Sequence, residues 1–112
     1  MTEGPPREFL EPWWRPDAAG LAAMDAELAR ELEFNPRHPL HGVKARAVAR
    51  RTDCDDVLFE LEGHFRLAIV HFTWSRSPET APQWPETTLF ASWSEWVSLM
   101  NKDHQEWAKV GG

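Results

Sequence analysis

Val57-Leu58-Phe59-Glu60-Leu61-Glu62-Gly63-His64-Phe65-Arg66-Leu67-Ala68-Ile69-Val70-His71-Phe72-Thr73-Trp74 is the run that decides the fold. Its halves, 57–62 and 65–74, are rich in β-branched and aromatic side chains, which suit a pleated sheet surface. Gly63 supplies the turn, and so short a connection makes the two strands antiparallel neighbours. A third strand is expected over 43–51, where Val43, Ala45, Ala47 and Ala49 alternate with Lys44, Arg46, Val48 and Arg50. Alanine is a mediocre strand former, so a helix is the competing reading of that segment.

Counting outward from the turn gives two registers. If Gly63-His64 is a two-residue turn, Phe59 faces Ala68, Val57 faces Val70 and Asp56 faces His71. If the loop is Glu62-Gly63-His64, Val57 faces Ile69 and Asp55 faces His71. Either register sets His71 across from a carboxylate, within cross-strand reach.

Two helices flank these strands. Asp17 is an N-cap after Pro16, and Leu21, Met24, Leu28 and Leu32 recur at spacings of 3, 4 and 4. Asn35-Pro36 stops that helix, and Gly20 in its first turn is a small cost. Ser92-Trp93-Ser94-Glu95 is a capping box for a second helix through Trp96, Val97 and Met100. Asp103-His104-Gln105-Glu106 repeats the pattern, so a break near Asn101 is expected. The fold class is therefore α+β. The expectation is a single domain with an antiparallel three- to four-stranded sheet and an N-terminal and a C-terminal helix packed on one face.

Residues 1–16 hold Pro5, Pro6, Pro12 and Pro16 and read as an extended proline-rich arm, followed by a single α+β domain over 17–110. Trp13 and Trp14 would pin the arm to the domain, or else to another subunit. Segment 75–88 carries three prolines and no periodicity, and reads as a long surface loop with Trp84 in its middle. A loop in water gains nothing from an indole, so Trp84 is expected to fold back over the core or over a site.

The chain has 112 residues, 42% hydrophobic and 27% charged, enough for one core. It contains no apolar run of the roughly 18 residues that a membrane span needs, and no signal peptide. A lone cysteine, Cys54, suits a reducing compartment, so a cytoplasmic location and no membrane association are expected. Nine arginines against three lysines suggest a high-GC bacterial genome. A net charge of −6 argues against nucleic acid as a partner. Five basic residues (Arg37, Lys44, Arg46, Arg50 and Arg51) nevertheless cluster before Asp53-Cys54-Asp55-Asp56. They read as the solvated face of a strand, with an anion site as the alternative.

The constellation with most chemistry is His71 beside Asp55 or Asp56. A carboxylate fixes an imidazole's tautomer, as a general base requires, although such pairs also simply stabilise sheets. Ser75 and Cys54 are isolated nucleophile candidates without an elbow motif. His38-Pro39-Leu40-His41, with Cys54 and the neighbouring aspartates, could supply metal ligands. The spacing is not that of a zinc site, so surface loop histidines are the better reading, with no metal and no cofactor expected. Seven tryptophans and no tyrosine, with Trp74, Trp84, Trp93 and Trp96 inside 23 residues, invite a recognition surface. The groove expected is one where the 75–88 loop closes over the sheet, with Trp84, Trp74, Thr73 and Trp93 as binding residues.

Three stretches, His38-Pro39-Leu40-His41-Gly42, Asp55-Asp56-Val57-Leu58-Phe59, and Val70-His71-Phe72-Thr73-Trp74-Ser75 with Trp84-Pro85 and Ser92-Trp93, resemble a group of small stand-alone bacterial proteins without an assigned activity. The resemblance spans roughly residues 30–105 and implies no catalytic residues. The functional expectation is a small non-enzymatic binding protein, monomer or homodimer, engaging a protein partner (immunity-like or regulatory) or a small aromatic ligand. The alternative is a small acid–base enzyme or hydrolase using His71 with Asp55 or Asp56.

Overall fold

The computed structural model describes residues 4–33, 35–62, 66–72 and 86–109. At its centre β3 (Asp56–Leu61) pairs antiparallel with β4 (Leu67–His71) in the register of a two-residue turn: Asp56 faces His71, Val57 faces Val70, and Phe59 faces Ala68. On one side lie β2 (Ala45–Arg51) and then β1 (Trp13–Trp14), and on the other β5 (Glu86–Phe90). Among the described residues the sheet thus has five antiparallel strands in chain order, not three or four. The added strands come from the arm, where Trp13 and Trp14 pair with Arg51 and Arg50, and from the end of the segment expected to be loop.

The helices α1 (Ala18–Glu33) and α2 (Trp93–Lys109) sit on opposite faces of the sheet, which corrects the expectation of one shared face. Met24, Leu28 and Leu32 of α1 pack with Val57, Phe59, Ala68 and Val70. Trp93, Trp96 and Met100 of α2 pack with Leu58, Leu67 and Ile69. The cause is in the central strands. Val57-Leu58-Phe59 and Leu67-Ala68-Ile69-Val70 are buried without alternation, so both faces are apolar and each needs a cover. Each Val, Leu, Ile or Phe side chain among them contributes about 1.5–3 kcal/mol on removal from water.

The alternation expected along 43–51 breaks at a β-bulge. Ala47 faces Phe59 but Ala49 faces Leu58, so Val48 is the extra residue. Ala47 therefore joins the α1 side while Val48 and Ala49 join the α2 side. The amide of Ala47 donates to Asp25 Oδ1 of α1 at 2.6 Å.

Both helix starts follow the sequence signals. Asp17 Oδ1 accepts the Gly20 N–H at 2.8 Å, and Ser92 Oγ accepts the Glu95 N–H at 3.2 Å. Glu95 reaches back one residue further than a capping box, to the Ala91 N–H at 2.9 Å. The expected break near Asn101 is absent, because Asp103 turns its carboxylate to the arm and does not cap a new helix.

Gly20 is more than a small cost. A Cβ there would sit 2.8 Å from Pro16 Cβ, part of a rigid ring. Gly20→Ala is therefore expected to lower stability by about 1 kcal/mol, overpacking outweighing alanine's helix propensity. Urea unfolding checks this, and a stabilised variant would show that Pro16 yields freely.

Candidate functional site

Strand parity brings the polar groups together. In this register Asp56 of β3, His71 of β4 and Glu86 of β5 form a row across three strands at one end of the sheet. Side chains alternate along each strand, so this row shares the α2 side with Leu58, Ile69 and Thr88. Asp56, Ile69, His71, Glu86 and Thr88 line a solvent-open hollow of about 280 Å³ there.

His71 Nδ1 lies 2.7 Å from Asp56 Oδ1. A carboxylate accepts, so the proton is on Nδ1 and Nε2 carries the free lone pair in the neutral ring. The His71 side chain is 45% exposed and Asp56 26%, so water screens their attraction and the pair holds a geometry more than it adds stability.

The competing partner, Asp55, is excluded by the register. Its backbone carbonyl accepts the Phe72 N–H at 3.2 Å, and its position is in the β2–β3 connection. Trp93 also leaves the expected site. It is 2% exposed, edge-on to Trp96 at 5.9 Å, and belongs to the core stripe Trp93, Trp96, Met100. Thr73, Trp74, Ser75 and Trp84 lie outside the described residues. Glu86 and Thr88 were missed in the sequence, and the β-forming run Thr87-Thr88-Leu89-Phe90 was the signal that could have placed them.

Cys54 offers no activated nucleophile beside this row. Burial pushes its thiol above the ordinary value, which leaves little thiolate at neutral pH.

The two loop histidines part company. His38 is buried, where a surface position was expected, and His41 is exposed. The Leu40 N–H donates to His38 Nδ1 at 3.0 Å, which places the ring proton on Nε2, 3.1 Å from Thr87 Oγ1. His38 thereby fastens its loop to β5. Among the described residues no group of three His, Cys, Asp or Glu has metal-holding geometry.

A second polar cluster takes up Arg51 from the basic stretch. Arg51 makes a two-pronged contact with Asp53, Nε to Oδ1 at 2.8 Å and Nη2 to Oδ2 at 3.0 Å. Its Nη1 is 3.2 Å from Asp103 Oδ2, which also accepts the Trp13 indole N–H at 3.0 Å. The hydrogen bond to Asp53 raises the Arg51 guanidinium above its ordinary value, and Arg51 holds the Asp53 carboxyl below the usual carboxylate range. The contribution of that carboxyl to stability is present above its ordinary value and is lost as pH falls through the lowered one. Arg51 is thus neutralised within the fold. Arg46, with its side chain 84% exposed, is solvated beside Glu60 at 4.0 Å.

No family model matches this chain, and no curated protein or solved structure matches it significantly. The resemblance to small bacterial proteins therefore adds nothing to the site. Among the described residues, no helix is long and apolar enough to cross a membrane.

Proposed function

We propose that this protein is a small non-enzymatic binding protein, working in a reducing compartment, whose partner or ligand docks at the hollow bordered by Asp56, His71 and Glu86. The observation that carries the reading is that row itself. On the α2 side of the sheet, it brings two carboxylates, an imidazole and a hydroxyl to a solvent-open hollow beside the apolar Ile69. Sites that bind without chemistry need such orienting groups but no activated nucleophile.

The test is a screen of short peptides and fragments against ¹⁵N-labelled protein. Saturable shifts are expected to cluster at Asp56, Ile69, His71, Glu86 and Thr88, and to vanish in a His71→Ala, Glu86→Ala double variant that keeps a folded spectrum. Hits that consistently map elsewhere would sink the reading.

One observation favours the acid–base enzyme instead: Asp56 holds His71 by Nδ1 and leaves Nε2 without a partner among the described residues, as a general base needs. Turnover of an ester or amide substrate that disappears in both Asp56→Asn and His71→Gln would move the assignment to that reading.

A further inference from the structure

Resting on the binding reading, we infer that the occupant of the hollow is the guanidinium of an arginine side chain on a partner protein. Every polar group lining the hollow can accept. Asp56 and Glu86 are carboxylates, Thr88 brings a hydroxyl, and His71 spends its proton on Asp56, so Nε2 is an acceptor in the neutral ring. No lysine or arginine is among the lining residues. A surface built of acceptors with two negative charges is complementary to a donor-rich cation.

The layout favours guanidinium over ammonium. Neighbouring strands lie about 4.8 Å apart, so Asp56, His71 and Glu86 present acceptors at strand intervals along a line. A planar fork of five N–H donors can address adjacent members of such a line, whereas an ammonium is a compact, strongly hydrated point charge. Ile69 supplies an apolar strip for the methylene stem, and a hollow of about 280 Å³ takes one long side chain. The chain's net charge of −6 adds long-range attraction for a basic partner.

The experiment uses three tripeptides, acetyl-Gly-Arg-Gly-amide and its citrulline and lysine counterparts, titrated into the ¹⁵N-labelled full chain. Citrulline keeps the arginine shape without its charge, and lysine keeps the charge without the fork. The arginine peptide is expected to produce saturable shifts at Asp56, His71, Glu86 and Thr88, and to bind about tenfold more tightly than either counterpart, the scale of one charged hydrogen bond. Glu86→Gln should weaken it by a similar factor, while Glu106→Gln, on the exposed side of α2, should leave it unchanged.

Equal binding of the citrulline peptide at these residues would overturn the charge inference while leaving the hollow a binding site. Equal binding of the lysine peptide would overturn the guanidinium assignment in the same way. Shifts scattered over the acidic surface, equally sensitive to Glu106→Gln, would overturn the inference altogether, as would no binding of the arginine peptide.

Discussion

Replacing Trp96 by alanine is expected to cost about 3–5 kcal/mol of stability, the range for truncating a large core aromatic. Trp96 is fully buried on the α2 side of the sheet, with the rings of Phe9, Trp13 and Trp93 edge-on at 5.6, 5.3 and 5.9 Å. Each such ring pair adds about 0.5–1.5 kcal/mol beyond the area it buries. The substitution removes all three contacts and leaves a void at the meeting point of arm, sheet and helix. Against the roughly 5–15 kcal/mol total of a small domain, the loss is a large share. Trp96→Phe should retain most of the stability, since the Trp96 indole N–H has no hydrogen-bond partner among the described residues. Urea unfolding of the three proteins measures this. A Trp96→Ala cost below about 1 kcal/mol would mean that α2 does not pack here as described.

Asp103→Ala is expected to cost about 2–3 kcal/mol and to free the arm. One oxygen of this carboxylate serves both the Trp13 indole and Arg51, and its removal strands a donor on a side chain that is 1% exposed. Arg51 keeps Asp53, so the larger part of the loss falls on Trp13. Asp103→Asn keeps an acceptor for the indole and gives up the charge, and should lie between. Limited trypsin digestion reads the arm directly: cleavage after Arg7, which precedes Glu8 in the arm, should quicken in Asp103→Ala at temperatures where the core is intact. Unchanged protection together with near-normal stability would show that apolar contacts alone hold the arm.

The strand pair 57–74 was legible because its residue types and its turn are local properties, and counting from the turn put Asp56 opposite His71. What failed was the reading of faces. Four consecutive buried residues in Leu67-Ala68-Ile69-Val70 announce a strand covered on both sides, yet period-two reasoning assigns one face to the core and one to water. Hence α1 and α2 were placed together. β1 was hidden because a two-residue strand has no periodicity and is held by Asp103 and Arg51, distant in sequence. β5 was hidden behind the proline-rich segment that precedes it. The site was half legible for the same reason: Asp56 and His71 follow from the hairpin, whereas Glu86 and Thr88 require β5. Trp93 stands at helical spacing from Trp96 and Met100, a pattern of core more than of site, and it is buried accordingly.

The bulged stretch of β2 bears on how this protein behaves in a crowd. β1 pairs with β2 only at Arg50 and Arg51, which leaves 45–49 along that border without a strand neighbour among the described residues. Bare strand borders are templates on which further chains add and fibrils grow. Here the border is kinked at Val48, and its Ala47 amide is already spent on Asp25, which sets a negative charge where an incoming backbone would have to lie. Asp25 thus withholds from any incoming strand one of the donors that strand would need.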